Sequence, residues 1–133
     1  YQKLAGFAGP ILDGEAYYMK LKSDGFEDLG LEDIGGGEYS IAHYYTQNGD
    51  AMRDPEITFT IDKQNLSIHP TSFLQDDIGL FYETAQAKPS MVRDLKDFMS
   101  QWFTNIVSQG FEPEKVSVYA SESETEDKTE FER

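Results

Sequence analysis

The chain has 133 residues, 25 of them acidic and 11 basic, for a formal net charge of −14 at pH 7. This charge disfavours nucleic acids and acidic membranes as direct ligands, because both are negative, and it favours proteins as partners, basic ones in particular. The lack of cysteine excludes disulfides, thiolate catalysis and cysteine zinc sites, and it fits a reducing compartment. No apolar run reaches the roughly 18–20 residues that a membrane-spanning helix needs.

The composition divides the chain into three parts. Residues 1–14 are rich in glycine and are predicted to be a leader outside the folded domain. Residues 15–120 hold most of the aromatic side chains and are predicted to form a single α+β domain. Residues 121–133 carry six acidic and two basic side chains, so we expect a solvated, mobile acidic tail there, with partner binding as the alternative.

Several segments show the alternation of apolar and polar side chains that is typical of β-strands. The clearest places Ile57, Phe59 and Ile61 on one face and two threonines on the other. Pro70 is expected to end a strand or to mark an edge of the sheet. The predicted strands are residues 15–22, 29–31, 39–45, 57–61 and 66–69, with further short strands conceivable at 78–83 and 116–118.

Residues 90–109 change to the period of a helix, and Gly110 suits the position after its end. Because strands come first and the helix later, without βαβ alternation, we predict an α+β fold. It consists of an antiparallel sheet of about five strands with one long C-terminal helix packed on one face. The apolar stripe of the helix comprises Met91, Leu95, Phe98, Met99, Trp102, Phe103 and Ile106.

The predicted strands 39–45 and 57–61 would pair across an 11-residue connection, residues 46–56. Asn48-Gly49 favours a turn because both residues tolerate positive φ. Asp54-Pro55 favours a second turn because proline fixes its own φ and restricts the residue before it. A connection longer than an ordinary hairpin loop is a common place for functional residues.

Polar side chains are concentrated in and beside this connection, and they define a candidate binding patch: His43, Tyr45, Gln47, Asn48, Asp50, Asp54 and Glu56. The ordinary alternative is that these are turn residues and rim charges, with His43 a hydrogen-bonded core histidine. No catalytic residue and no cofactor is predicted.

Carboxylates also suit hard cations, so Mg²⁺ or Ca²⁺ is an alternative ligand, although the spacing matches no calcium loop. The candidate metal ligands would be Asp50, Asp54, Glu56, Asp76 and Asp77.

Tyrosine is frequent on the predicted strands. A shared surface could serve as an aromatic platform or as a dimer face, whereas a mixture of core and surface positions is the ordinary alternative. The residues concerned are Tyr17, Tyr18, Tyr39, Tyr44 and Tyr45.

Residues 42–56 (AHYYTQNGDAMRDPE) resemble the hallmark of an uncharacterised domain family, and the similarity continues through residues 76–83 and the helix with Asp94, Leu95 and Trp102. The family consists of small bacterial proteins that are often encoded on conjugative elements and phages. The resemblance spans roughly residues 16–111 and carries no activity or catalytic residue with it. It implies a bacterial, cytoplasmic setting and a role in mobile-element biology.

Two functions follow from these observations. The first is a non-catalytic protein-interaction domain that acts through its acidic surface, including a version that mimics DNA and occupies a basic nucleic-acid-binding protein. The second is a metal-dependent enzyme or divalent-metal-binding domain that uses the acidic connection after His43. The second requires the carboxylates of Asp50, Asp54 and Glu56 to converge.

Overall fold

The computed structural model describes residues 1–119 and is built on one antiparallel sheet. The strand order is β6-β5-β4-β3-β2-β1-β7, so the first six strands form a meander and the last returns to the free side of β1. Two short helices, α1 (Gln2–Ala5) and α2 (Gly9–Leu12), precede the sheet, and a long helix, α3 (Pro89–Ser108), separates β6 from β7. The strands are β1 (Ala16–Lys22), β2 (Asp28–Gly35), β3 (Glu38–Gln47), β4 (Asp50–Asp62), β5 (Ser67–Gln75), β6 (Leu80–Glu83) and β7 (Glu112–Val118).

The predicted α+β class and the single long helix on the sheet are confirmed, but the prediction of about five strands is wrong. Within residues 1–119 the sheet has seven strands. The two additional strands are its edges, β6 and β7, which overlap the further short strands that the sequence suggested at 78–83 and 116–118, and nearly all of their side chains are exposed. Edge strands bury little, so their sequences lack the apolar alternation that revealed the inner strands.

One face of the sheet and one face of α3 form the core. Met19, Leu21 and Leu31 are fully buried on β1 and β2, and Ile57 and Phe59 are fully buried on β4. The helix begins at Pro89, which needs no hydrogen bond for its nitrogen, and it is followed by Gly110 at a φ of 75°. Its buried side chains are Leu95, Met99, Trp102, Phe103 and Ile106.

The first 14 residues were predicted to be a leader outside the folded domain, but several of their apolar side chains are buried in its core. Leu4, Phe7 and Ile11 are buried in the same core as the sheet and α3, and the ring of Phe7 meets that of Phe103 edge to face at 5.8 Å. The ammonium group of Lys63 donates to the carbonyl oxygen of Leu12 at 3.0 Å and ties α2 to the end of β4. Gly6 caps the end of α1 and Gly14 follows the end of α2, whereas Gly9 is the first residue of α2, so these glycines do not mark an unstructured chain.

The predicted 11-residue connection is a long hairpin in the structure. Strands β3 and β4 continue until only Asn48 and Gly49 lie between them, at φ values of 55° and 86°. Both positive values are those of a type I′ turn, which matches the twist of a hairpin. Pro55 does not end the strand because Asp54 and Pro55 together oppose His43 in a β-bulge, where no ladder hydrogen bond is required of proline.

Pro70 lies inside β5 rather than at its end. The pairing of β5 with β6 covers only Ser72 to Gln75, so within the described residues Pro70 lies on a stretch of β5 that pairs with β4 alone, as expected for an edge position. A register shift opposite Thr58 and Phe59 again places proline beside a bulge, and Pro70 is buried.

No helix within residues 1–119 is both long and apolar enough to cross a membrane. The predicted acidic tail lies outside the described residues.

Candidate functional site

The hairpin distributes the predicted patch over three places instead of joining it into one site. Gln47, Asn48 and Asp50 are exposed at the tip. Glu56 lies on the face of the sheet opposite the core, which we call the open face, and Ala42 is its neighbour there on β3. The other three members are His43, Tyr45 and Asp54, which lie near the bulge.

On the open face, Glu56 and Asp76 are held by Arg53. The guanidinium Nη1 of Arg53 donates to Glu56 Oε1 at 3.0 Å, and Nε donates to Asp76 Oδ2 at 3.3 Å. Glu56 Oε2 also accepts a 2.5 Å hydrogen bond from the hydroxyl of Ser40, which is 4% exposed. Both carboxylates are therefore satisfied by protein donors and have a structural part in joining β3, β4 and the 3-10 helix Asp76–Ile78.

Near the bulge, the carboxyl group of Asp54 is close to that of Asp77. Partial burial raises the pKa of Asp54, and the hydrogen bond from Gln75 lowers it. The charge of Asp77, a hydrogen bond between the two carboxyl groups and the charge of Glu27 raise it further. Within residues 1–119 no salt bridge joins Asp54, Asp77 or Glu27 to a lysine or arginine. We call Glu27, Asp54 and Asp77 the acidic cluster.

Tyr45 lies beside the acidic cluster. Desolvation raises the pKa of its phenol, and so do the charges of Asp77, Asp54 and Glu27. The phenol therefore stays protonated at neutral pH and can donate a hydrogen bond.

His43 connects the acidic cluster to the helix. Its ring centroid lies 5.4 Å from that of Trp102 and 5.6 Å from that of Phe111, and its Nδ1 is 3.2 Å from the carbonyl oxygen of Glu27. Burial lowers the pKa of His43, although the Glu27 carbonyl and the charges of Glu27 and Asp54 oppose that shift. At neutral pH the imidazole is therefore uncharged, and Nδ1 carries the proton that is donated to the backbone carbonyl oxygen of Glu27.

A groove of about 400 Å³ opens beside this histidine, between the bulge and α3. We call it the His43 groove. Its lining includes Phe26, Glu27, His43, Pro55, Phe98 and Trp102.

The metal-ion alternative finds no support in the described residues. Asp50, Asp54 and Glu56 do not converge, since one lies at the tip, one at the bulge and one on the open face beside Arg53. No group of three or more histidine, aspartate or glutamate side chains within residues 1–119 is arranged to hold a metal ion.

The five tyrosines do not share a surface. Tyr39 stacks on Phe59 in the core, whereas Tyr17 packs against Tyr119. Tyr18 and Tyr44 lie on the open face of the sheet, next to Gly30. An aromatic platform formed by all five is therefore ruled out.

Comparison with known proteins gives one family. The family model "Domain of unknown function (DUF6908)" matches residues 1–112. The chain belongs to this family. The match covers α1 and α2 as well as the sheet and α3, in agreement with the buried side chains of the first 14 residues. No curated protein and no solved structure matches the chain.

The sequence did not indicate several residues around His43. Glu27 and Phe26 precede β2, and they approach His43 because Leu29 pairs with it in the sheet. Gln75 arrives through the pairing of β5 with β4, and so does Asp77, which the sequence had offered only as a candidate metal ligand. Phe98 belonged to the predicted apolar stripe, and its 43% exposure appears only in the structure, so the sequence carried no signal for its place in the groove.

Proposed function

We propose that the domain is a non-catalytic protein-interaction module that binds a basic protein through its acidic surface, with the acidic cluster beside the β3–β4 hairpin as the centre of that surface. The observation that carries the proposal is the position of Asp54. Its carboxylate lies beside Asp77 and near Glu27, without a salt bridge to any of the described basic residues.

Carboxylates in such an arrangement repel one another, so the free protein is less stable than it would be with one of them neutralised. A cationic partner removes the repulsion when it binds. Perturbed carboxyl groups are common at functional sites for this reason, since the interaction that is missing in the free protein is supplied by the ligand. The neighbouring Arg53 forms no salt bridge with Asp54, and its guanidinium group pairs with Glu56 and Asp76 instead.

The charge of the whole chain supports the same class of partner. A net charge of −14 draws basic proteins toward the surface at long range and speeds their encounter. A basic nucleic-acid-binding protein is the specific version of this proposal, and the domain would then compete with DNA. A role in mobile-element biology would fit that version and stays a prediction.

A binding titration tests the proposal. The probe is a fluorescein-labelled peptide of alternating glycine and arginine, and a glycine–glutamate peptide of the same length is its negative control. Fluorescence anisotropy is measured for the wild-type chain and for the double variant Asp54→Asn/Asp77→Asn.

The matched control variant is Asp13→Asn/Glu15→Gln, which loses the same charge from exposed positions. These residues precede β1, and the register of β1, β2 and β3 places them at the end of the sheet away from the hairpin turn.

We expect the arginine peptide to bind, to weaken as salt is added, and to lose more affinity with the cluster variant than with the control variant. Binding that falls equally in both variants would show that net charge alone acts, and no binding at low salt would overturn the proposal.

A further inference from the structure

The His43 groove has aromatic walls that are open to solvent. Phe26 and Phe98 are 47% and 43% exposed, although phenylalanine is usually buried. The ring of Phe98 is 5.8 Å from that of Trp102, which in turn is 5.4 Å from the imidazole of His43. The groove therefore offers the exposed rings of Phe26 and Phe98 to a ligand, whereas Trp102 is only 6% exposed.

The charge around these rings is negative. Glu27 belongs to the lining, and Asp54 is close enough to His43 to raise its pKa. The described lining contains no lysine or arginine, and the imidazole of His43 is neutral at pH 7 because burial lowers its pKa. A cation in this groove would thus meet ring faces and carboxylates, and no positive charge of the protein would oppose it.

We propose that the His43 groove binds an arginine side chain of the basic partner. This inference rests on the proposed function and specifies how the partner is recognised. A guanidinium group is planar and weakly hydrated, so it stacks on aromatic rings more readily than an ammonium group does. Asn105 and Gln109 also line the groove. The side-chain oxygen of Gln109 is an acceptor for guanidinium N–H groups, whereas that of Asn105 already accepts one hydrogen bond, from Nε2 of Gln101 at 3.0 Å, and has one lone pair left.

The test compares arginine with lysine at equal charge. The glycine–arginine peptide and a glycine–lysine peptide of the same length are titrated against the wild-type chain. Trp102 is the only tryptophan, so its fluorescence reports directly on the groove. We expect the arginine peptide to bind more tightly and to change the emission of Trp102, by a factor of about 2 to 30 in affinity if a partly desolvated cation–π contact distinguishes the two.

Two variants test the location. Phe98→Ala removes one wall of the groove. Phe26→Ala removes another, and Phe26 lies outside α3. Met91→Ala is the matched control, since Met91 is 37% exposed on the same helix and does not line the groove. Both phenylalanine variants should abolish the preference for arginine, whereas Met91→Ala should keep it. Thermal melts show which of the variants remain folded, and the exposed Phe26 gives a usable result even if Phe98→Ala unfolds the chain.

The outcomes separate this inference from the proposed function. If both peptides bind equally, with salt dependence and with weaker binding to Asp54→Asn/Asp77→Asn, the interaction module stands and the arginine groove is wrong. The groove is also wrong if the preference for arginine survives in both phenylalanine variants. If neither peptide binds the wild-type chain, both proposals fail.

Discussion

Asp76 accepts two hydrogen bonds from Arg53, one from its backbone N–H at 2.9 Å and one from its Nε at 3.3 Å. The contact fixes the 3-10 helix Asp76–Ile78 against β4 and removes Asp76 from the set of free carboxylates. Its neighbour Asp77 has no arginine partner among the described residues and forms a side-chain hydrogen bond with Asp54 instead. Two adjacent aspartates therefore have different roles, one structural and one in the acidic cluster.

Asp76→Ala should destabilise the chain by about 1–3 kcal/mol, because the N–H of Arg53 and part of its guanidinium group lose their acceptor. Asp77→Ala is the matched control and should change stability by less than about 0.5 kcal/mol or increase it. Urea unfolding followed by circular dichroism measures both. Equal losses in the two variants would contradict the division of roles.

Asp54→Asn should raise the melting temperature at pH 7. Burial and the charges of Asp77 and Glu27 raise the pKa of Asp54 in the folded chain, so its ionisation opposes folding. A carboxyl group with a raised pKa contributes its stability below the unfolded value, near 3.8, and loses it as the pH rises through the folded value.

The gain from asparagine should therefore be largest at neutral pH and should shrink as the pH falls toward 3.8. Asp50→Asn, exposed at the hairpin tip, is the control and should shift the melting temperature little. A gain that does not depend on pH would argue against charge repulsion at Asp54.

Gly30→Ala should destabilise the chain through Tyr44. A Cβ atom at Gly30 would lie 2.8 Å from Cε2 of Tyr44, so the tyrosine ring would have to move. We expect a loss of about 1–3 kcal/mol, as for other overpacked sites. In the double variant with Tyr44→Ala the steric conflict is absent, and a double-mutant cycle should show coupling between the two positions. Additive losses would mean that the contact does not limit the site.

Much of the fold could be predicted because side-chain burial determines it. The alternation of Ile57, Phe59 and Ile61 with polar residues predicted a strand with one buried face, and the apolar stripe on residues 90–109 predicted the helix. The length of the hairpin could not be predicted. Asp54-Pro55 reads locally as a turn, and only the pairing of β3 with β4 turns it into a bulge within a strand.

The candidate site could be predicted less well than the fold. His43 and Asp54 were identified, but the neighbours that give them their properties come from other elements: Glu27, Gln75, Asp77 and Trp102. Such contacts depend on strand register and on where α3 crosses the sheet. The local periodicity of the sequence determines neither of them. Tyr45 was named only as a member of the patch, and the structure places it near Asp54.

Leu4→Ala should cost about 2–5 kcal/mol of stability, because this fully buried side chain packs into the same core as β1 and α3. Gln2→Ala, an exposed position on the same short helix, is the control and should have little effect. Urea unfolding of the two variants tests whether the first 14 residues belong to the core. A small loss in the free energy of unfolding for Leu4→Ala would instead support the prediction that this segment is a leader outside the domain.

The most direct measurement is a chemical-shift map of the glycine–arginine peptide on the ¹⁵N-labelled chain. Binding at the acidic cluster and the His43 groove predicts that the largest shifts fall on the amides of Glu27, His43, Asp54 and Asp77 and on the indole N–H of Trp102. Shifts concentrated near Asp13 and Glu15, or spread evenly over all acidic residues, would contradict it.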